Sequence, residues 1–151
     1  MIPNDIGDWA DLPFFRDNWP DLAARITADP RTILPPEPKR FAALQHTQPD
    51  DTRVAILGQD PYPSPGHANG LAFSVSPDTA LPKTLKNIFR ELKEDIGRAP
   101  DTGDLTHWSD QGVLLLNTSL TVPKGVAGGH ANLGWRALTD QVLARLSARP
   151  C

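Results

Sequence analysis

Arg53-Val54-Ala55-Ile56-Leu57-Gly58 is a compact apolar run bounded by turn residues, and Gly112-Val113-Leu114-Leu115-Leu116-Asn117 is a second. Short branched runs without polar alternation read as strands buried on both faces, the pattern of a parallel sheet. Between them Leu85, Ile88, Phe89, Leu92 and Ile96 recur along one helical face, with Thr84 placed as the N-cap. Leu105 to Asp110 reads as a shorter helix, and Trp135, Leu138, Val142 and Leu146 mark a third amphipathic one. Strand, loop, helix, strand, loop, helix is the order of an α/β sheet.

Upstream, the chain reads as short helical pieces broken by proline. Asp21 to Ala28 is one helix ended by Pro30, Pro35-Pro36-Glu37-Pro38 is a stiff elbow, and Phe41-Ala42-Ala43-Leu44 is a short helix. The 151 residues suit one domain with a real core. A formal charge of −3 argues against a strongly basic nucleic-acid coat and leaves room for a local basic groove. No run of about 18 apolar residues crosses a membrane, and Met1-Ile2-Pro3-Asn4-Asp5 has neither the basic nor the apolar part of a secretory signal. Cys151 is the only cysteine, which excludes a disulfide framework and a cysteine zinc site and points to a reducing cytoplasm. Sixteen prolines imply stiff loops.

Two strands do not make a stable parallel sheet covered on both faces. The pattern stops after a helix, where another strand should enter. The expectation is therefore a single domain over 1–151 that is incomplete at its C-terminus; the alternative is a small domain with a minimal sheet.

In open parallel sheets ligands bind beyond the carboxyl ends of the strands. Gln59 and Asp60 leave the first strand there, and Asn117 and Thr118 leave the second, so these polar groups should converge on one pocket. From Asp60 to Gly70 three prolines and two glycines in eleven residues forbid a regular element. A carboxylate in such a stiff loop suits the orientation of water or the stabilisation of a developing cation. Equally, Asp60 can begin an Asp-Pro turn and cap its own backbone. Asn117 offers a donor and an acceptor side by side, which fits a nucleobase edge, or it closes a turn. Tyr62 and Phe73 can wall a planar ring or pack in the core. His67, His107 and His130 share no helical spacing, so no metal site is expected, and phosphate-loop and dinucleotide fingerprints are absent.

Gly58-Gln59-Asp60-Pro61-Tyr62, followed by Pro65-Gly66-x-Ala68-x-Gly70-Leu71-Ala72-Phe73-Ser74-Val75, resembles the signature of family 1 uracil-DNA glycosylases. Gln111-Gly112-Val113-Leu114-Leu115-Leu116-Asn117-Thr118 with Leu120-Thr121-Val122, and His130-Ala131-x-Leu133-Gly134-Trp135, are similar to two further motifs of that family. The likeness runs from about Leu12 to Leu146. It implies a parallel four-stranded sheet flanked by helices, of which only the first two core strands are present here. It also implies removal of uracil from single- or double-stranded DNA, in base excision repair, by a monomer without metal or organic cofactor. The uridine is flipped from the stack.

On that resemblance Asp60 is the catalytic carboxylate, orienting water and facing a sugar of oxocarbenium character. Gln59 contributes backbone contacts to uracil, Tyr62 blocks a 5-methyl group, Phe73 stacks on the base, and Asn117 pairs with N3–H and O4. Pro82, Thr84 and His130 are the DNA-contact candidates. Three departures stand out. Pro63 replaces the usual histidine after Asp-Pro-Tyr, which puts water activation in question; His67 stands where glutamine is usual and Asn69 where histidine is. No residue matches the family's later histidine, which stabilises the departing uracil anion, or its duplex-wedging leucine. The rival expectations are an inactive fragment or remnant binding uracil or DNA weakly, and a free-nucleoside N-glycosidase.

Overall fold

The computed structural model describes residues 2–150; the lone cysteine, Cys151, lies outside them. Helices α1 (Pro13–Asp17) and α2 (Trp19–Ala28) come first. Each carries proline in its first turn, where no intrahelical N–H is needed. That tolerance is why α2 starts two residues before the expected Asp21. After strand β1 (Ile33–Leu34), the proline elbow carries a cis Leu34–Pro35 peptide and a 3-10 turn over Glu37–Lys39. Helix α3 (Ala42–His46) then leads to strand β2 (Val54–Gly58). The second half holds α4 (Lys83–Ile96), α5 (Thr106–Ser109), β3 (Val113–Asn117), β4 (Val122–Pro123) and α6 (Arg136–Ser147).

Strands β2 and β3 pair in parallel, from Val54 opposite Val113 to Gly58 opposite Asn117. Strand β3 is the buried one: Leu114, Leu115 and Leu116 are each at most 1% exposed, with α3 and α5 packed on it. Burying each such leucine contributes about 1.5–3 kcal/mol. The expectation of burial on both faces fails for β2, where Val54 is 51% and Leu57 40% exposed. Strand β3 is its only ladder neighbour among the described residues, so its other edge is open. A second, antiparallel pair joins β1 to β4; each strand is two residues long, too short to leave a periodic signal.

Two helix expectations need correction. The N-cap position of α4 belongs to Pro82, not Thr84, which lies within the first turn. Ile96 ends the apolar stripe in solvent, 54% exposed, because the helix outruns the core before stopping at left-handed Gly97. Elsewhere an aromatic box of Phe14, Trp19, Phe41 and Trp135 joins α1 and α2 to α6. Phe14 stacks on Trp135 at 6.2 Å and donates its N–H to Gln141 Oε1 at 2.6 Å. Arg149 fastens the end of α6 near the start of β2 by donating to the carbonyls of Pro49 and Thr52. No described helix is long and apolar enough to cross a membrane.

Candidate active site

Where β2 and β3 end, three hydrogen bonds lock the loops that follow them. Thr118 N–H donates to the Gly58 carbonyl at 2.9 Å, and Ser119 N–H (3.0 Å) and Thr118 Oγ1 (2.9 Å) both donate to the Gln59 carbonyl. Gln59, Asp60, Asn117 and Thr118 therefore leave the sheet side by side, as the strand pattern predicts. The Gln59 carbonyl is fully engaged in this brace.

Asn117 is 6% exposed at the end of β3, and its side chain lies against Gly58. A β-carbon on Gly58 would collide with Asn117 Oδ1 and lie 3.0 Å from Ala72 Cβ. The glycine is therefore the space in which the amide sits. Among the described residues the Asn117 amide has no hydrogen-bond partner.

Ala72 N–H donates to the Leu115 carbonyl at 3.0 Å, which ties the Leu71–Val75 segment to β3. The next residue, Phe73, is held at φ +66°. A bulky side chain in the left-handed region costs on the order of 1–3 kcal/mol, and such strain persists only where neighbours fix it. Two neighbours do. Tyr62 Oη–H donates to the Phe73 carbonyl at 2.9 Å, and Ser74 Oγ, buried, accepts from Asn69 Nδ2 at 2.9 Å and from Leu105 N–H at 2.8 Å. Burial pushes the Tyr62 phenol above its ordinary pKa, so it stays a neutral donor. Phe73 and Tyr62 are both half-buried and packed on the core, with part of each surface open.

The Asp60 side chain does not cap its own turn. Its Oδ2 accepts from the N–H of Gly128, 68 residues away, at 2.5 Å. Gly125 N–H, three residues before, donates to the Pro63 carbonyl at 2.9 Å. The 124–129 stretch is thus stitched to the Asp60–Pro63 loop at two points, a contact that no periodicity announces; the clustered glycines at 125, 128 and 129 are its only trace in the sequence. His67 is exposed and has no bond to Asp60.

Pro82 and Thr84 stand at the start of α4, with Thr84 exposed. The helix start is tied to the Phe73 segment through Gly103, whose carbonyl accepts from Val75 N–H at 3.0 Å and which packs against Leu81 and Leu85. His130 is placed differently. Its ring is 2% exposed, with Nδ1 2.8 Å from Thr121 Oγ1 and Nε2 3.0 Å from Asp29 Oδ2, so neither ring nitrogen faces solvent. The candidate residues do not line the cavity of about 470 Å³ between α2 and the proline elbow, where Trp19, Phe41 and Arg40 meet.

Residues 44–148 match the Uracil DNA glycosylase superfamily. A uracil-DNA glycosylase of Ruegeria sp. is 58% identical over 146 residues, covering 96% of this chain and 62% of that protein. One of Haemophilus influenzae is 52% identical over 148 residues, covering 86% of this chain and 68% of that protein. The chain thus spans roughly two thirds of the length of these relatives. Among solved structures, the mimivirus uracil-DNA glycosylase is similar with a TM-score of 0.74 at 27% identity, over 90% of this chain and 57% of that one. A mimivirus variant in complex with UGI gives 0.86 at 26% identity, over 99% and 59%. Sequence likeness and strand architecture converge on one assignment: the chain belongs to the uracil DNA glycosylase superfamily.

Proposed function

We propose that this chain carries the base-reading and carboxylate part of a uracil-DNA glycosylase site, which hydrolyses the N-glycosidic bond of deoxyuridine flipped out of DNA. Uracil is released and an abasic site remains for excision repair. The observation that carries this reading is the pairing at the strand ends: a fixed carboxylate, Asp60, and the amide of Asn117, a residue only 6% exposed whose side chain makes no hydrogen bond among the described residues. Asp60 orients water and faces the sugar as positive charge develops at C1′. The Asn117 carbonyl oxygen accepts uracil N3–H and its NH2 donates to O4; cytosine presents the reverse pattern. Phe73 stacks on the ring, and Tyr62, braced against Phe73, closes the space of a 5-methyl group. With the Gln59 carbonyl engaged, Gln59 contributes through its N–H. The free N–H groups and the Thr84 hydroxyl at the start of α4, beside Pro82, suit a DNA phosphate. His130 serves by holding its loop rather than by touching DNA. The lone cysteine and the family relationship fit a cytoplasmic monomer acting on single- or double-stranded uracil DNA.

A second reading, a chain that binds uracil or DNA without cleaving, draws on the exposed Val54 and Leu57 of β2. Uracil release from a single-stranded uracil oligonucleotide separates the two. The test uses the 151-residue chain and an Asp60→Asn sample prepared identically, which controls for host enzyme. Release reduced at least about 10²-fold in the variant supports the first reading. Equal release by both, above the level of a mock purification from the same host, removes Asp60 from the chemistry; equal release at the mock level is host background and counts as no release by either. No release by either, with uracil still shifting the Asn117 side-chain amide resonances, supports the second.

A further inference from the structure

Gly128 fixes one oxygen of the Asp60 carboxylate, yet it sits in a stretch poorly suited to fixing anything. Residues 125–129 are Gly-Val-Ala-Gly-Gly, with Gly125 at φ +76° and Gly128 at φ +73°. Glycine has the largest backbone entropy to lose on ordering. Val126, Ala127 and Gly129 are exposed, so the segment gains little from burial. It needs anchors at both ends. The N-terminal anchor is backbone: Lys124 N–H to the Thr32 carbonyl at 2.8 Å and Gly125 N–H to the Pro63 carbonyl at 2.9 Å.

The C-terminal anchor is a line of side chains. Trp135 Nε1–H donates to Thr121 Oγ1 at 2.7 Å, Thr121 Oγ1 lies 2.8 Å from His130 Nδ1, and His130 Nε2 lies 3.0 Å from Asp29 Oδ2. Arg31 grips the same carboxylate at both oxygens, at 2.8 and 2.6 Å. The direction of the line follows from donor chemistry. An indole N–H only donates and an ionised carboxylate only accepts. Arg31 first, and then His130, hold the Asp29 carboxyl well below the usual carboxylate range, so it is the accepting end. An imidazole that donates from Nε2 to this carboxylate and carries a single proton accepts at Nδ1 from the Thr121 hydroxyl. Every polar atom of the line is spent, with Trp135, Thr121 and His130 all at most 2% exposed. The backbone then runs from His130 to Gly128 in two residues, with Ala131 N–H donating to the Gly128 carbonyl at 3.1 Å.

We propose that His130 is a positioning residue for Asp60. Clamped between Thr121 and Asp29, it holds the glycine-rich segment so that Gly128 N–H fixes Asp60 Oδ2 and leaves Oδ1 directed at substrate and water. The Trp135–Thr121–His130–Asp29 line thus connects the end of α2 and the start of α6 to a carboxylate that none of its four residues touches. The functional weight of this device rests on the reading of Asp60 as the reacting carboxylate; the device itself is tested without any activity.

The measurement is amide hydrogen exchange and the chemical shift of Gly128 in the isotopically labelled full chain. Asp60→Asn is compared first, because a carboxylate acceptor draws an amide proton downfield and protects it. Then His130→Phe, which keeps a ring and removes both bonds, and Asp29→Ala, which removes only the end of the line, are compared with the parent. The expected result is a Gly128 amide that moves upfield in Asp60→Asn. In the other two variants it should exchange at least tenfold faster, while Leu114–Leu116 keep their protection. A Gly128 resonance indifferent to Asp60→Asn overturns the contact and the proposal with it. Unchanged Gly128 protection in Asp29→Ala overturns the clamp, and this variant decides the matter if His130→Phe also unfolds β3. Failure of the Asp60 chemistry would instead appear as uracil release above the level of a mock purification and indifferent to Asp60→Asn, with the Gly128 responses intact.

Discussion

Gly58 and Asn117 face each other at the ends of the two parallel strands, and the asparagine amide occupies the volume that any side chain on the glycine would need. Strand pairing and base reading are thus coupled at one position. Gly58→Ala introduces a β-carbon into Asn117 Oδ1, with Ala72 Cβ 3.0 Å away on the buried side. The expected cost is about 1–3 kcal/mol of overpacking. It should be accompanied by a displaced Asn117 amide. Urea unfolding and the Asn117 side-chain resonances check both; a fully stable Gly58→Ala with an unmoved amide would contradict the packing.

Asn117→Asp replaces the NH2 donor with a group that, once protonated, offers a different edge. Uracil preference should fall and cytosine should be admitted. A bidentate base contact is worth about 1–3 kcal/mol of discrimination, so the uracil-to-cytosine ratio should drop by roughly 10- to 100-fold. Binding of the two free bases, or their release from matched oligonucleotides, measures it. Undiminished uracil selectivity would count against Asn117 as the reader.

Tyr62→Phe removes one hydroxyl, and with it the bond to the Phe73 carbonyl. The direct loss is about 1 kcal/mol. The more telling effect is on Phe73, which is held at φ +66° and loses one of its braces. Faster exchange at the Ser74 amide and weaker base binding should appear together in Tyr62→Phe, while Asn117 keeps its resonances. Loss of stability without any change at residues 73 and 74 would show that the brace lies elsewhere.

Asp29 gives the fold an acid-sensitive hold. Its folded-state pKa is depressed, chiefly by Arg31 and then by His130, so folding favours the ionised form. That contribution is complete above the unfolded value of about 3.9 and drains away as pH falls toward the lower folded value. Asp29→Asn lacks it at every pH. The gap in Tm between parent and variant should be largest near neutrality and should close between about pH 4 and pH 2. Circular dichroism melts at four pH values suffice, and a gap that stays constant would detach Asp29 from acid stability.

Much of the frame was legible because its signals are local. Two undisturbed apolar runs gave both strands of the parallel pair, and the Leu85, Phe89 stripe gave α4. The strand ends gave the meeting of Gln59, Asp60, Asn117 and Thr118 directly. What escaped had no local signal. Thr84 has the chemistry of a cap, but Pro82 already supplies the extended backbone that starts the helix. Ile96 fits the stripe, but a sequence does not reveal where a core ends. Pairs of two residues, β1 with β4, are below any period. The Gly128 contact to Asp60 and the Asp29 contact to His130 join residues 68 and 101 positions apart, and their geometry exists only once the chain has closed on itself. His130 was visible as a motif residue, while its burial was not.

The parallel register of β2 and β3 also sets a clock. Partners such as Val54 and Val113 are 59 positions apart, so the first strand leaves the ribosome well before the second exists. At about 5–20 residues per second, the Val54–Leu57 run waits roughly 3–12 s for its partner. During that interval an apolar, β-prone segment has only helical and proline-rich neighbours for shelter. Nascent chains stalled before Val113 should therefore be the ones that recruit holdase chaperones, and release from them should coincide with the emergence of Leu114–Leu116.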